Sequence, residues 1–189
     1  MIKGIHLNPL PKDDLGVKKF LKESIPDIIS SFALNYNTVN YTPLEFYEQE
    51  VAAILPRVFN EVFINFMTLS QSGLETIFKG SANSDRLVIR TCKITSGGDL
   101  DFSGPEYKTS YISLAYTASS AYNNNWVSPW TEFKKIAEAM GKTSLIYSLQ
   151  TLNLHRSSIG AVEAKQILVD NGFINVEVTD FADIRPLNK

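Results

Sequence analysis

The stretch VAAILPRVFNEVFINFMTL, Val51 to Leu69, decides how the first half of the chain is read. Val51, Ile54 and Leu55, then Val58, Phe59, Val62, Phe63 and Phe66, recur at spacings of three and four. That is the period of one wide apolar stripe on a helix. Just upstream, Thr42-Pro43-Leu44-Glu45 has the form of a helix start: a threonine cap, proline at the first position, and glutamate three residues after the cap. The stretch is therefore expected to be helical and interrupted at Pro56. Its Pro56, Arg57, Asn60, Glu61 and Asn65 exclude a membrane span.

Working outward, Ile2 to Leu7 alternates weakly, as a short edge strand does, and Pro9 and Pro11 end it. A helix is expected from about Asp13, carrying Leu15, Phe20, Leu21, Ile25, Ile28, Ile29 and Phe32 and split by Pro26. A shorter helix fits Ser72 to Lys79. The character changes near Gly80. RLVIRTCKI and KTSYISLAYTA read as strands, joined by the turn-rich TSGGDLDFSGPE as a hairpin. SPWTEFKKIAEAMG is a helix with Ser128 as cap, Pro129 at the first position and Gly141 as stop. TSLIYSLQTL reads as a strand, SSIGAVEAKQILVDNG as a helix stopped by Gly172, and FINVEVTDF as the last strand. No internal repeat is visible. The expected fold is α+β: a mainly helical region over residues 1–80, then a mixed sheet over 81–189 in β-β-α-β-α-β order.

Composition narrows the function classes. The 189 residues are 44% hydrophobic and 20% charged, which is globular rather than disordered. A net charge of −2 argues against whole-domain attraction to nucleic acid or an anionic membrane. The lone Cys92 permits no intramolecular disulfide, and the N-terminus lacks the apolar core of a signal peptide. A cytoplasmic origin is expected, with no membrane partner.

Motifs that carry chemistry are sparse. Asp99 and Asp101 stand two apart, so in an extended chain both carboxylates face one side, as a cation site requires. Turns use aspartate in the same way for backbone hydrogen bonds. Glu106 and Lys108 have the E-x-K spacing of one nuclease superfamily, without a well-placed upstream aspartate. Asp99, Asp101, Glu106 and Lys108 form the enzymatic alternative, a metal-dependent nuclease or other small enzyme. HRSSIGA, from His155, resembles the coenzyme-binding loop of N-acetyltransferases, but Arg156 and Gly160 are one residue too far apart, and a helix cap explains the stretch. Arg86, Val88 and Arg90 share one side of a strand, which reads as a solvent-facing side. No catalytic residue, cofactor or resident metal is expected.

What remains is a surface suited to contact. Tyr107, Tyr111, Tyr116, Tyr122, Trp126 and Trp130 crowd a short span, and such aromatics anchor interfaces. Tyr111 and Trp130 are expected in the core. Tyr122, Asn124 and Trp126, on a loop rich in asparagine, form the expected partner-binding tip.

The expected hairpin RTCKITSGGDLDFSGPEYKTSYISLAYTA and the helix SPWTEFKKIAEAMG together resemble the small α/β ring subunits at the necks and tail ends of tailed bacteriophages. The resemblance covers the second half, from about Asp85. It implies a non-enzymatic, homo-oligomeric joining protein that is made in the cytoplasm and ends in the virion beside other assembly proteins. A small inhibitor-type binding protein is the further alternative.

Overall fold

The computed structural model describes residues 4–7, 14–35, 42–44, 47–95, 98–115, 129–155 and 159–180. Among them the chain runs β1 (Ile5–Leu7), α1 (Leu15–Glu23), β2 (Ile29–Asn35), β3 (Thr42–Pro43), α2 (Glu48–Ile54), β4 (Val58–Asn65) and β5 (Met67–Ser70). It continues through α3 (Gln71–Gly80), β6 (Arg86–Arg90), β7 (Lys93–Thr95), β8 (Tyr111–Ser113), α4 (Pro129–Gly141), α5 (Leu145–Ser148), β9 (Thr151–Asn153), α6 (Ala161–Asp170) and β10 (Glu177–Thr179).

Seven strands form one sheet in the order β1-β2-β4-β6-β8-β9-β10, and every neighbouring pair is parallel. Order in the sheet is order in the chain. β3, β5 and β7 form a second parallel sheet, also in chain order. Strands that advance one place per chain passage, with a helix among the described residues of every connection except that from β6 to β8, make a solenoid-like stack. The fold is α/β.

The spacing between units can be read from the register. Partners are 25 residues apart at Val62–Leu87 and again at Leu87–Ile112, and 40 apart at Ile112–Leu152. Val62-x-Ile64-x-x-Met67-x-Leu69 and Leu87-x-Ile89-x-x-Cys92-x-Ile94 match position for position at the 25-residue offset. Their form is similar to the L-x-L-x-x-N/C-x-L core of leucine-rich repeats, with Cys92 at the Asn/Cys position. Between the two sheets both units turn a corner on a residue of positive φ, Phe66 (56°) and Thr91 (49°). The Cys92 thiol lies just behind the second corner, within hydrogen-bonding reach of Ile64 O (3.6 Å) and Arg90 O (3.3 Å).

These findings overturn the α+β expectation and the helical region over residues 1–80. Residues 58–65 are a strand, residues 29–35 are a strand, and Thr42-Pro43 lies in a two-residue strand ahead of the helix that starts at Glu48. The cause is burial on both faces. Val62 and Ile64 enter the core beneath the helices, while Phe63 is buried on the opposite face. A strand apolar on both sides reads as a continuous run, and such a run also satisfies three–four spacing. The expected hairpin is likewise absent: residues 86–90 and 111–113 are parallel neighbours from successive units. The sheet takes strands from both sides of Gly80.

The main core lies between the seven-stranded sheet and the helices. Phe32, Val62, Leu87, Ile112 and Leu152 occupy one register row across it, each at most 1% exposed. Leu21, Val51, Ile54, Leu74, Ile77, Phe133, Met140 and Leu168 pack over them from the helices. Each fully buried side chain of this size contributes about 1.5–3 kcal/mol relative to exposure. The helix limits follow local chemistry. Ser70 caps α3 by accepting from Gly73 N–H at 3.1 Å, and Gly172, at φ 95°, follows α6. Among the described residues, no helix is long and apolar enough to cross a membrane.

Candidate functional site

The other face of the seven-stranded sheet carries a separate set of side chains. Parallel pairing, regular from Ser31 onward on β2, places equivalent residues of successive units in rows across the strands. One row is Ser31, Glu61, Arg86, Tyr111, Thr151 and Glu177. The next, two residues along each strand, is His6, Ala33, Phe63, Val88, Ser113, Asn153 and Thr179.

Arg86 is the centre of the first row. Its Nε donates to Glu61 Oε2 at 3.3 Å, and its guanidinium carbon lies 3.8 Å from the Tyr111 ring centroid. The guanidinium thus joins a carboxylate on one neighbouring strand to an aromatic face on the other. A planar, weakly hydrated cation suits that position, whereas a lysine ammonium would give up the stacking. The Arg86 side chain is 40% exposed and that of Glu61 22%, so the trio is reachable from solvent. Tyr111 is half-buried on this face, not in the main core as the sequence suggested.

The second row changes character along its length. Ala33, Phe63 and Val88 make a buried apolar cluster with Tyr111 packed against it. Ser113, Asn153 and Thr179 continue the row as a polar ladder, with Asn153 Nδ2 to Ser113 Oγ at 3.5 Å and Thr179 Oγ1 to Asn153 Oδ1 at 3.4 Å. At one edge His6 Nε2 lies 3.3 Å from Ser31 Oγ, and near the other His155 Nδ1 is 3.7 Å from Asp180 Oδ1. The shared side of Arg86, Val88 and Arg90 is as the alternation suggested, but Val88 is buried, so this is no bare solvent face.

The acidic candidates lie elsewhere and do not converge. Asp101 Oδ1 accepts from Ser103 N–H at 2.9 Å and from Ser103 Oγ at 2.5 Å, a local turn. Those two hydrogen bonds hold its carboxyl below the usual aspartate range. The Asp99 carbonyl accepts from Gln71 Nε2, and Glu75 Oε1 accepts from Asp101 N–H, which ties the loop to α3. Asp99, Glu106 and Lys108 are exposed, and among the described residues no three acidic, histidine or cysteine side chains group as a metal site would need. Beneath this loop Phe102 stacks on Phe78 with centroids 4.0 Å apart, and Tyr107 donates to Phe102 O at 2.6 Å. Burial pushes the Tyr107 phenol up. The segment is a packed connection.

Tyr122, Asn124 and Trp126 lie outside the described residues. Trp130 falls in the first turn of α4. Sequence reading missed Glu61, Tyr111, Asn153 and Thr179 as parts of one surface. The signal that could have found them is the 25-residue offset, which places Glu61, Arg86 and Tyr111 at equivalent positions of three units. No protein-family model, curated protein or solved structure matches this chain.

Proposed function

We propose that the protein is a non-enzymatic binding protein that engages a partner protein through the second face of its parallel sheet. The observation that carries this reading is the Glu61–Arg86–Tyr111 trio, set in register at the middle of that face and reachable from solvent. Arginine and tyrosine are enriched at interface hot spots, because both offer large, rigid contact area together with polar groups. Solenoid-like folds use one extended sheet face for recognition, since it repeats equivalent positions over several units. Mixed charge on this face, with Glu61 beside Arg86, Arg90 on the same strand side and Glu177 three strands away, suits a protein surface better than a polyanion. The hairpin behind the likeness to phage joining subunits is two parallel strands, so the reading rests on the sheet face and not on that likeness.

Quantitative affinity capture from the native host tests this. Wild-type protein and a control, Tyr147→Ala, altered at an 86%-exposed side chain on α5, retain the same specific partner. Tyr111→Ala and Arg86→Ala lose it by roughly tenfold or more, the size of a hot-spot truncation. A partner retained equally by all four proteins contradicts the assignment to this face.

A further inference from the structure

We infer that copies of this chain associate head to tail, the last strand–helix unit of one copy stacking on the first unit of the next. This is independent of the second sheet face and of whatever binds there.

A stack of repeating units ends in two surfaces that the interior units do not have. Terminal units normally turn a polar outer face to water, because each unit otherwise presents the apolar surface that its neighbour would cover. Here both ends depart from that rule. Eight large hydrophobic residues are exposed among the described residues. Three of them, Leu15 (79%), Phe20 (44%) and Ile28 (58%), lie between β1 and β2 in the first unit. Three more, Val162 (85%), Val169 (42%) and Ile174 (75%), lie between β9 and β10 in the last. Val162 and Val169 are two turns apart on the side of α6 opposite its buried Ala164, Ile167 and Leu168. Two exposed valines on one side depart from the polar outer face typical of a helix that faces water.

The strands tell the same story. Ile5 and Val178 stand in the register row whose inner members are fully buried, yet both are only half-buried, because β1 and β10 are the edges. Every step of the sheet is parallel, so β10 of one copy can pair with β1 of the next in the same sense as each internal step. The contact would continue an interface already repeated along the chain. Charge disfavours the pairing of two last ends. Between β1 and β2 the described residues carry Lys18, Lys19 and Lys22 against Asp14, Glu23 and Asp27, a balanced set. From α6 to the end of β10 the chain carries Glu163, Asp170 and Glu177 against Lys165. Two net-acidic last ends repel, whereas a last end meeting the balanced first end does not. A contact between two different surfaces of one molecule is heterologous, and it closes into a ring or propagates as a filament according to the rotation per step.

Sedimentation velocity with the full chain, from micromolar to near-millimolar concentration, reads this directly. The wild type is expected to grow in whole-number multiples of its 21.1 kDa mass. Phe20→Asp, which disables the first unit, and Val169→Asp, which disables the last, should each remain monomeric. An equimolar mixture should form a one-to-one dimer that grows no further, because each variant keeps one working end. Far-ultraviolet circular dichroism checks that both variants are folded. Should Phe20→Asp unfold, the surface pair Lys19→Glu and Lys22→Glu replaces it. Tyr111→Ala should associate as the wild type does, which separates this contact from the second sheet face. A wild type that stays monomeric throughout, single variants that still associate, or a mixture that stays monomeric each overturn the proposal.

Discussion

Cys92 offers a quantitative probe of the stacked core. It is buried at the corner between the two sheets, and burial pushes its thiol from 9.0 up to about 12, against weaker opposing hydrogen bonds from the backbone. Only the thiolate is nucleophilic. At pH 8 a thiol at 9.0 is about one-tenth ionised and one at 12 about one part in ten thousand, a difference of roughly a thousandfold before exclusion by packing is counted. A chromogenic disulfide reagent should therefore leave the native protein unlabelled for as long as it stays folded. In urea, labelling should follow the unfolding transition seen by fluorescence. The same group ties stability to alkaline pH. The folded value is raised, so this contribution is fully present below the unfolded value near 9 and is lost as pH rises towards 12. The unfolded chain gives up the proton first, and stability should fall by about 1.4 kcal/mol per pH unit above about 9 from this residue alone. Cys92→Ala removes that slope, so the difference between the two proteins isolates it. Rapid native labelling at pH 8, or identical alkaline slopes, would refute the placement of Cys92 behind the corner.

Gly80→Ala should destabilise by about 1–3 kcal/mol in urea titration, because an added Cβ would stand 2.7 Å from Leu55 Cβ where the end of α3 meets the turn after α2. An unchanged midpoint would mean that α3 and Leu55 do not meet. Thr91→Gly should stabilise by about 1 kcal/mol, since a β-branched residue at φ 49° is strained and glycine is not. Loss of stability in that variant would count against a left-handed corner at this residue.

Parts of the second half were legible in the sequence for local reasons, although TSLIYSLQTL, read as a strand, is a helix at Leu145–Ser148 and a strand only at Thr151–Asn153. The helix at Pro129–Gly141 is amphipathic, with proline at its start and glycine at its end, and it lies where those signals put it. Helix α3 and edge strand β1 were legible for similar reasons. What failed was the choice of period in the first half. Val58 to Asn65 pairs on both sides, with β2 and β6, and buries side chains on both faces, so polar residues that would mark alternation are few. Strand pairing was also assumed from chain proximity. Residues 86–90 and 111–113 look like a hairpin when a turn-rich segment is taken to reverse the chain, but the connection carries the chain back to begin a parallel strand. The signal against the hairpin was present in Val62-x-Ile64-x-x-Met67-x-Leu69 and its copy 25 residues on. Two imperfect copies with different residues at three of the four apolar positions, flanked by units of other lengths, hide such a period from inspection. The site followed the same fate. Arg86 and Arg90 were visible as one side of a strand, but the Tyr111 ring meets Arg86 only when the strands run parallel.

Parallel order can be tested by placing paired cysteines on the second sheet face and bridging them with a short thiol-specific fluorogenic cross-linker, native Cys92 being buried and protected. Arg86→Cys with Tyr111→Cys puts both thiols on register partners of adjacent strands. Arg90→Cys with Tyr111→Cys displaces one of them by four residues, about 13 Å along the strand. Parallel stacking predicts efficient bridging of the 86–111 pair and little of the 90–111 pair. An antiparallel hairpin would reverse that preference, and bridging of the 90–111 pair in place of the 86–111 pair would contradict the solenoid order on which the proposed binding face depends.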